Sequence, residues 1–139
     1  MQLSPSADDA IRILLDLAMV EKRLTPQAIS DMVQIPLSRV CELLGRLKRK
    51  DLVIFRQNEN AVSLSRSPTE IYIRDVVRAV EEEIPVRLCG QCPKECFLGG
   101  TGGRCPLDMV CAVIRLAAEN ALQELTLYQL MNRCPFQTI

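Results

Sequence analysis

Three short apolar repeats, separated by breaks marked with Pro26 and Pro36, dominate the first fifty residues and leave little choice of fold. Ile11, Leu14, Leu15, Ala18 and Met19 recur at three- and four-residue steps, which predicts a helix over residues 7–22 with Ser6 as its cap. Thr25 followed by Pro26 marks a second helix start, and Ile29, Met32 and Val33 give that helix an inward face about two turns long. The segment Gln34-Ile35-Pro36 ends it. Ser38 then reads as the cap of a third helix, in which Val40, Leu43, Leu44 and Leu47 face inward while Arg39, Glu42, Arg46, Lys48 and Arg49 face out. Two β-prone runs, residues 52–56 and 61–65, flank the Asn-rich turn 57–60 and predict a small hairpin. Two short helices across a tight turn, followed by a hairpin, is the order of a winged helix-turn-helix, whose second helix enters the DNA major groove.

After Pro68, the positions Ile71, Ile73, Val76, Val77 and Val80 predict a fourth helix that runs to the acidic triple Glu81-Glu82-Glu83 and is closed by Pro85. Residues 86–106 hold four cysteines, five glycines and two prolines without periodicity, a loop of unusual length. Helical spacing returns from Leu107 to Leu125, and a short turn follows at residues 126–131. The expected fold is mainly α: a winged helix-turn-helix with a small β-hairpin wing and a long C-terminal helix. Residues 1–68 form the DNA-binding region, and 69–139 hold the connecting helix, the cysteine loop and the long helix, the two intertwined as one domain. At 139 residues, with 48% apolar and 24% charged side chains, the chain has the size and balance of a single folded domain.

Seventeen basic residues against seventeen acidic ones give no overall positive field, so a nucleic-acid partner has to be sought in local charge. Between Arg39 and Arg56 lie six basic residues and two acids, a patch of +4 that coincides with the third helix and the hairpin. In a helix-turn-helix, Ser38 and Arg39 at the start of that helix would read base edges, with Glu42 on the same outer face. Arg46, Lys48 and Arg49 would hold phosphates, and Arg56 would lie in the wing.

Five of the seven cysteines, Cys89, Cys92, Cys96, Cys105 and Cys111, fall within 23 residues. No basic leader precedes the first apolar run and no stretch approaches the ~20 apolar residues of a membrane span, so a cytoplasmic protein without a membrane partner is expected. In that compartment clustered thiols are read as metal ligands or redox sensors before disulfides. The chain has no histidine, which removes mixed Cys/His zinc fingers. Only Cys89 and Cys92 form a C-x2-C knuckle, so all-cysteine zinc stands second to an iron–sulfur cluster, around which a loop of irregular spacing can wrap. A thiol oxidoreductase is the further alternative, but it would want its C-x2-C pair at a helix N-terminus. The run Gly99–Gly103 lacks the Gly-Lys-Ser/Thr of a phosphate loop and reads as a spacer. Cys41, Cys111 and Cys134 are expected to be packing residues.

The stretches Met1-Gln-Leu-Ser, Ala10-Ile-Arg-Ile-Leu-Leu-Asp-Leu-Ala18, Ile35-Pro-Leu-Ser through Leu44-Gly-Arg-Leu-Lys-Arg-Lys-Asp-Leu-Val53, Ile73-Arg-Asp-Val-Val-Arg-Ala-Val-Glu81 and Leu125-Thr-Leu-Tyr-Gln-Leu130, in that order, resemble the Rrf2 family of bacterial winged-helix regulators, which includes the IscR- and NsrR-type iron–sulfur regulators. The resemblance covers nearly the whole chain. It implies a dimeric DNA-binding transcription regulator, a repressor acting on a palindromic operator and not an enzyme. An iron–sulfur cluster, [2Fe-2S] or [4Fe-4S], would switch its affinity on sensing redox state, nitric oxide or iron–sulfur supply. By resemblance, Cys89, Cys96 and Cys105 would be cluster ligands, with Cys92 a substitute. Asp8, given by the other subunit, would be the fourth ligand, or Asp108 where some members carry a histidine. The long helix would build the dimer. The glycines of the family's usual wing segment are absent from Phe55–Val62, although Arg56 is present.

Overall fold

The computed structural model describes residues 3–20, 23–56, 58, 60–81, 84, 86 and 105–132. Helix α1 (Pro5–Val20) is the hub: it packs against the second, third, fourth and last helices and against the second strand. Its buried residues Ala7, Ala10, Ile13, Leu14, Leu17 and Ala18 follow the three/four spacing of an inward face. The helix begins two residues earlier than the sequence suggests, because Ser4 and not Ser6 serves as the cap. Ser4 Oγ accepts from Ala7 N at 3.2 Å, and Pro5, which has no N–H to leave unpaired, takes the first turn. The expected end at residue 22 lies outside the described residues, which stop at Val20 on this side.

Helix α2 (Pro26–Val33) starts as expected, with Thr25 Oγ1 accepting from Ala28 N at 3.1 Å. It stops where Gln34 turns left-handed at φ 60°, and Ser30 Oγ donates to the Ile35 carbonyl at 2.5 Å, which braces the turn. Helix α3 (Leu37–Arg49) has no side-chain cap; Ser38 is an exposed residue of its first turn, and the Pro36 carbonyl accepts from both Arg39 N and Val40 N at 3.0 Å. At its other end Leu52 N bonds to Leu47 O and Asp51 N to Lys48 O. This is the Schellman pattern, with Asp51 in the left-handed position at φ 56°.

Strands β1 (Val53–Arg56) and β2 (Ala61–Leu64) pair antiparallel, with Val53 opposite Leu64 and Arg56 opposite Ala61. Leu24 adds a third rung by exchanging both backbone bonds with Val62, at 3.0 and 2.8 Å, which pins the wing to the link between α1 and α2. A 3-10 turn at Pro68–Glu70 follows.

Helix α4 (Ile73–Val80) is shorter than its apolar run because Ile71 is held outside it: the Ile71 carbonyl accepts from Leu127 N at 2.8 Å, and Ile73 N donates to Leu125 O at 2.9 Å. This stitch around Tyr72 and Thr126 joins the chain before α4 to the chain after the long helix α5 (Pro106–Leu122). Helix α5 ends three residues before the expected Leu125, and α6 (Leu127–Met131) follows with a capping box between Thr126 and Gln129.

The core joins α1–α4, the hairpin and α6 through Ile13, Leu14, Ile29, Leu43, Leu44, Leu47, Leu52, Ile71, Ile73 and Leu127, all fully buried. Each such side chain contributes on the order of 1.5–3 kcal/mol relative to exposure. The mainly helical winged helix-turn-helix is therefore as expected. Of the cysteine loop over 86–106, residues 87–104 lie outside the described residues, and with them Cys89, Cys92 and Cys96; Cys134 lies outside as well. Among the described residues no helix is long and apolar enough to cross a membrane.

Candidate nucleic-acid interface and cluster ligands

Helix α3 buries Val40, Leu43, Leu44 and Leu47, and this fixes its opposite face as the one turned to solvent: Ser38, Cys41, Glu42, Lys48 and Arg49. Cys41, expected to be a packing residue, is thus exposed on the helix that would meet DNA. Gly45 shares this side, and a side chain there would meet nothing within 4 Å.

The arginines of α3 divide into two kinds. Arg39, expected to face out, is turned back onto α1: its Nε lies 2.6 Å from Asp9 Oδ2 and its Nη2 donates to Ser6 Oγ at 3.3 Å. The pair is part-buried, with side-chain exposures of 34% and 16%, so its charges attract through a medium less screening than bulk water. Arg46 is also engaged, donating to the Val80 carbonyl at 3.0 Å and to Glu42 Oε1 at 2.9 Å. Lys48 places its ammonium 5.5 Å from the centre of the Phe55 ring, a cation–π contact between α3 and β1. Arg49 and Lys50 are exposed and meet no charged partner among the described residues. They open onto a groove of about 800 Å³ whose far wall carries Arg78 and Glu81. Arg56 closes β1 at the wing.

Asp8 lies exposed in the first turn of α1 and pairs with Arg12 at 3.1 Å. Cys105 is the N-cap residue of α5, half-buried, with Pro106 as the first helical residue and Asp108 exposed one turn in. Cys111 is half-buried against the core, near the packing role expected of it. Among the described residues no three candidate ligands converge.

Helix α5 has an outer face of Met109, Val113 and Leu116, which are 74%, 62% and 60% exposed, and none of its residues is fully buried. Its inner side is fastened to α4 by Arg78 to Glu119 Oε2 at 3.0 Å and Arg74 to Gln123 Oε1 at 2.6 Å, and Arg115 donates to the Ile84 carbonyl at 3.1 Å. These clamps, and the partners of Arg39 and Arg46, escape sequence reasoning because each joins residues about 30 or more positions apart, except for the Arg46–Glu42 pair. That pair has the i, i+4 spacing of a helix-surface bond.

The Rrf2 family model, described as an iron-dependent transcriptional regulator, matches residues 3–133. The chain belongs to the Rrf2 family. It is a DNA-binding transcription regulator of the winged-helix type and not an enzyme. Comparison with curated proteins gives no match. Among solved structures, the fold is similar to T. potens IscR, with a TM-score of 0.72 at 16% identity over 100% of this chain and 92% of that one. It is similar to the oxidized form of Staphylococcus aureus CymR, with a TM-score of 0.71 at 16% identity over 94% and 96%. A third is CymR, the global cysteine regulator of B. subtilis, with a TM-score of 0.71 at 19% identity over 95% and 97%.

Proposed function

We propose that the chain acts as a homodimer built on α5, that it represses transcription from a palindromic operator, and that an iron–sulfur cluster, [2Fe-2S] or [4Fe-4S], sets its affinity for DNA. The observation that carries this reading is the place of Cys105. It caps the same helix whose outer face is apolar and bare, so a ligand position and a subunit contact share one rigid rod. The donor set suits a cluster: thiolates of Cys89, Cys96 and Cys105, with Cys92 in reserve, and a carboxylate from Asp8 across the dimer or from Asp108. Among the described residues the Asp8 carboxylate is paired with Arg12 at the exposed helix surface, a contact that is weak in water and readily given up. Bound there, the cluster supplies an iron centre that redox change, nitric oxide or loss of iron alters.

The protein's own residues carry such a change toward DNA. Asp9, next to Asp8, grips Arg39 at the start of α3, and Arg46 in the last turn grips the carbonyl of Val80, from which the chain leads to Cys89. Both ends of the recognition helix are therefore tied to the segments that would hold the cluster. Arg39 and Arg46 position α3, Ser38 and Glu42 face the bases, and Lys48, Arg49 and Lys50 meet phosphates, with Arg56 in the wing. The dimer must hold its two α3 helices about 34–36 Å apart, or a multiple of that, to meet successive major-groove faces. Such a protein works in the cytoplasm, where thiols stay reduced.

Anaerobic purification is expected to give a brown dimer with iron and sulfide in near-equal amounts and different operator affinity with and without the cluster. A colourless protein with stoichiometric zinc, or equal affinity of both forms, overturns the cluster reading. Arg49→Gln and Lys50→Gln are each expected to lower the salt slope of DNA binding by about one unit.

A further inference from the structure

Glycine weakens the interior of a helix, and only proline is worse there. Gly45 nevertheless stands inside α3, and it is the one glycine of the chain outside residues 90–103. The residue is helical, so no left-handed turn requires it. A side chain at this position would meet nothing within 4 Å, so no neighbouring element among the described residues presses against it. At about 100° per residue, Gly45 falls on the ridge that points away from the buried Val40, Leu43, Leu44 and Leu47, about two turns beyond Ser38 and one turn before Arg49. Along this ridge the side chains of Ser38 and Cys41 are short, and the longer Glu42 has its carboxylate drawn along the helix to Arg46 at 2.9 Å. Beyond Gly45 come Arg49 and Lys50, exposed and meeting no charged partner among the described residues. The outer profile of α3 is thus low at Gly45 and cationic at its end, a shape that fits a polyanion coming close to the helix backbone.

We propose that Gly45 is the point where DNA comes closest to α3, and that its lack of a side chain sets how deep the helix sits in the major groove. The proposal rests on α3 as the recognition helix and adds to it a specificity-determining residue that reads no base by hydrogen bonding. A helix is held off the groove floor by the bulkiest side chain on its DNA-facing ridge. Base edges are reached only when short side chains such as that of Ser38 come down to the floor, whereas long cations meet phosphates from farther out. Gly45 therefore serves binding to a matched sequence and not general attachment to DNA.

The test uses the full-length protein, purified anaerobically, with two probes: a duplex that the wild-type protein enriches from a random-sequence pool, and a duplex of the same length and scrambled sequence. Gly45→Ala is expected to raise the urea midpoint of unfolding, because alanine is the better helix former. The same variant is expected to bind the enriched duplex about tenfold more weakly and the scrambled one within about twofold of the wild type. Gly45→Leu, with its longer side chain, is expected to lose more on the enriched duplex. Opposite signs on stability and on affinity are what a merely structural glycine does not give. Arg49→Gln is the control and is expected to weaken both duplexes. The proposal is overturned if Gly45→Ala lowers stability, binds the enriched duplex as the wild type does, or weakens both duplexes alike. Unchanged binding by Gly45→Ala beside weakened binding by Arg49→Gln removes the role of Gly45 and leaves α3 as the recognition helix. Unchanged binding by both, or no enriched duplex at all, removes the recognition helix and Gly45 with it.

Discussion

Helices α3 and α5 are both built from apolar residues at helical spacing, yet they end in opposite situations. In α3, four residues are buried to 1% exposure or less, and the polar remainder faces solvent. In α5, which is longer, no residue is fully buried and large apolar side chains stand in water. The first helix finds its whole complement inside one chain; the second is left half-satisfied, as a surface awaiting a partner would be. The winged head is thus self-sufficient in its packing, and the α5 rod is not.

The sharpest way to break this contrast is one chemical change made in both helices. Leu44→Ala is expected to cost about 3 kcal/mol, since it opens a void among buried neighbours, whereas Leu116→Ala, at 60% exposure, is expected to cost under ~0.5 kcal/mol in the dissociated chain. Urea unfolding at low protein concentration measures both. If α5 is the dimer seam, sedimentation then shows the Leu116 variant dissociating at lower dilution.

The tie between head and N-terminus is a smaller effect. A double-mutant cycle of Asp9→Asn and Arg39→Gln is expected to return a coupling of about 1 kcal/mol, because the pair is well formed but only partly shielded from water. Operator affinity measured on the same variants separates a positioning role for Arg39, in which Asp9→Asn also alters binding, from direct base contact, in which it does not.

Asp51→Gly is expected to stabilise the head by roughly 0.5–1 kcal/mol, since glycine takes the left-handed position at the end of α3 without steric penalty. Thermal unfolding reads this gain.

The smallest effect concerns Asp16 on α1, whose carboxyl is pushed above its ordinary value by burial, with Oδ2 finding no hydrogen-bond partner among the described residues. An acid whose folded pKa is raised binds its proton more tightly in the folded state, so folding stability declines as pH rises from the ordinary aspartate value of 3.8 through the raised one. Asp16→Asn is expected to remove that part of the pH dependence and to raise stability slightly at neutral pH, as followed by denaturation at a series of pH values.

Much of the head was legible in its sequence, because local rules decide it. The apolar spacing of α1 to α3, Thr25 before Pro26, and the β-prone runs around the Asn-rich turn all act within a few residues. Where a local signal has a near neighbour, the outcome is less legible: Ser6 reads as the cap of α1, but Ser4 takes that role, with Pro5 in the first turn. The candidate site was harder still. Arg39 stands on an outward-reading position, and nothing near it in sequence announces that Asp9 will claim its charge. The length of α4 was likewise settled at a distance, by Leu127 claiming the Ile71 carbonyl. Outward position along a helix fixes direction, but the partner of a long side chain is set by whatever tertiary packing brings to it.

The two backbone bonds joining Ile71 to Leu127 and Ile73 to Leu125 have a mechanical consequence. They turn α4, the cysteine segment and α5 into a closed circuit whose feet are clasped together. Lengthening or shortening the stretch between residues 81 and 105 is then absorbed inside the circuit and leaves the winged head in register. A signal arising there moves α5 and α4 as swivelling limbs, since the clasp prevents them from being pushed apart at the base.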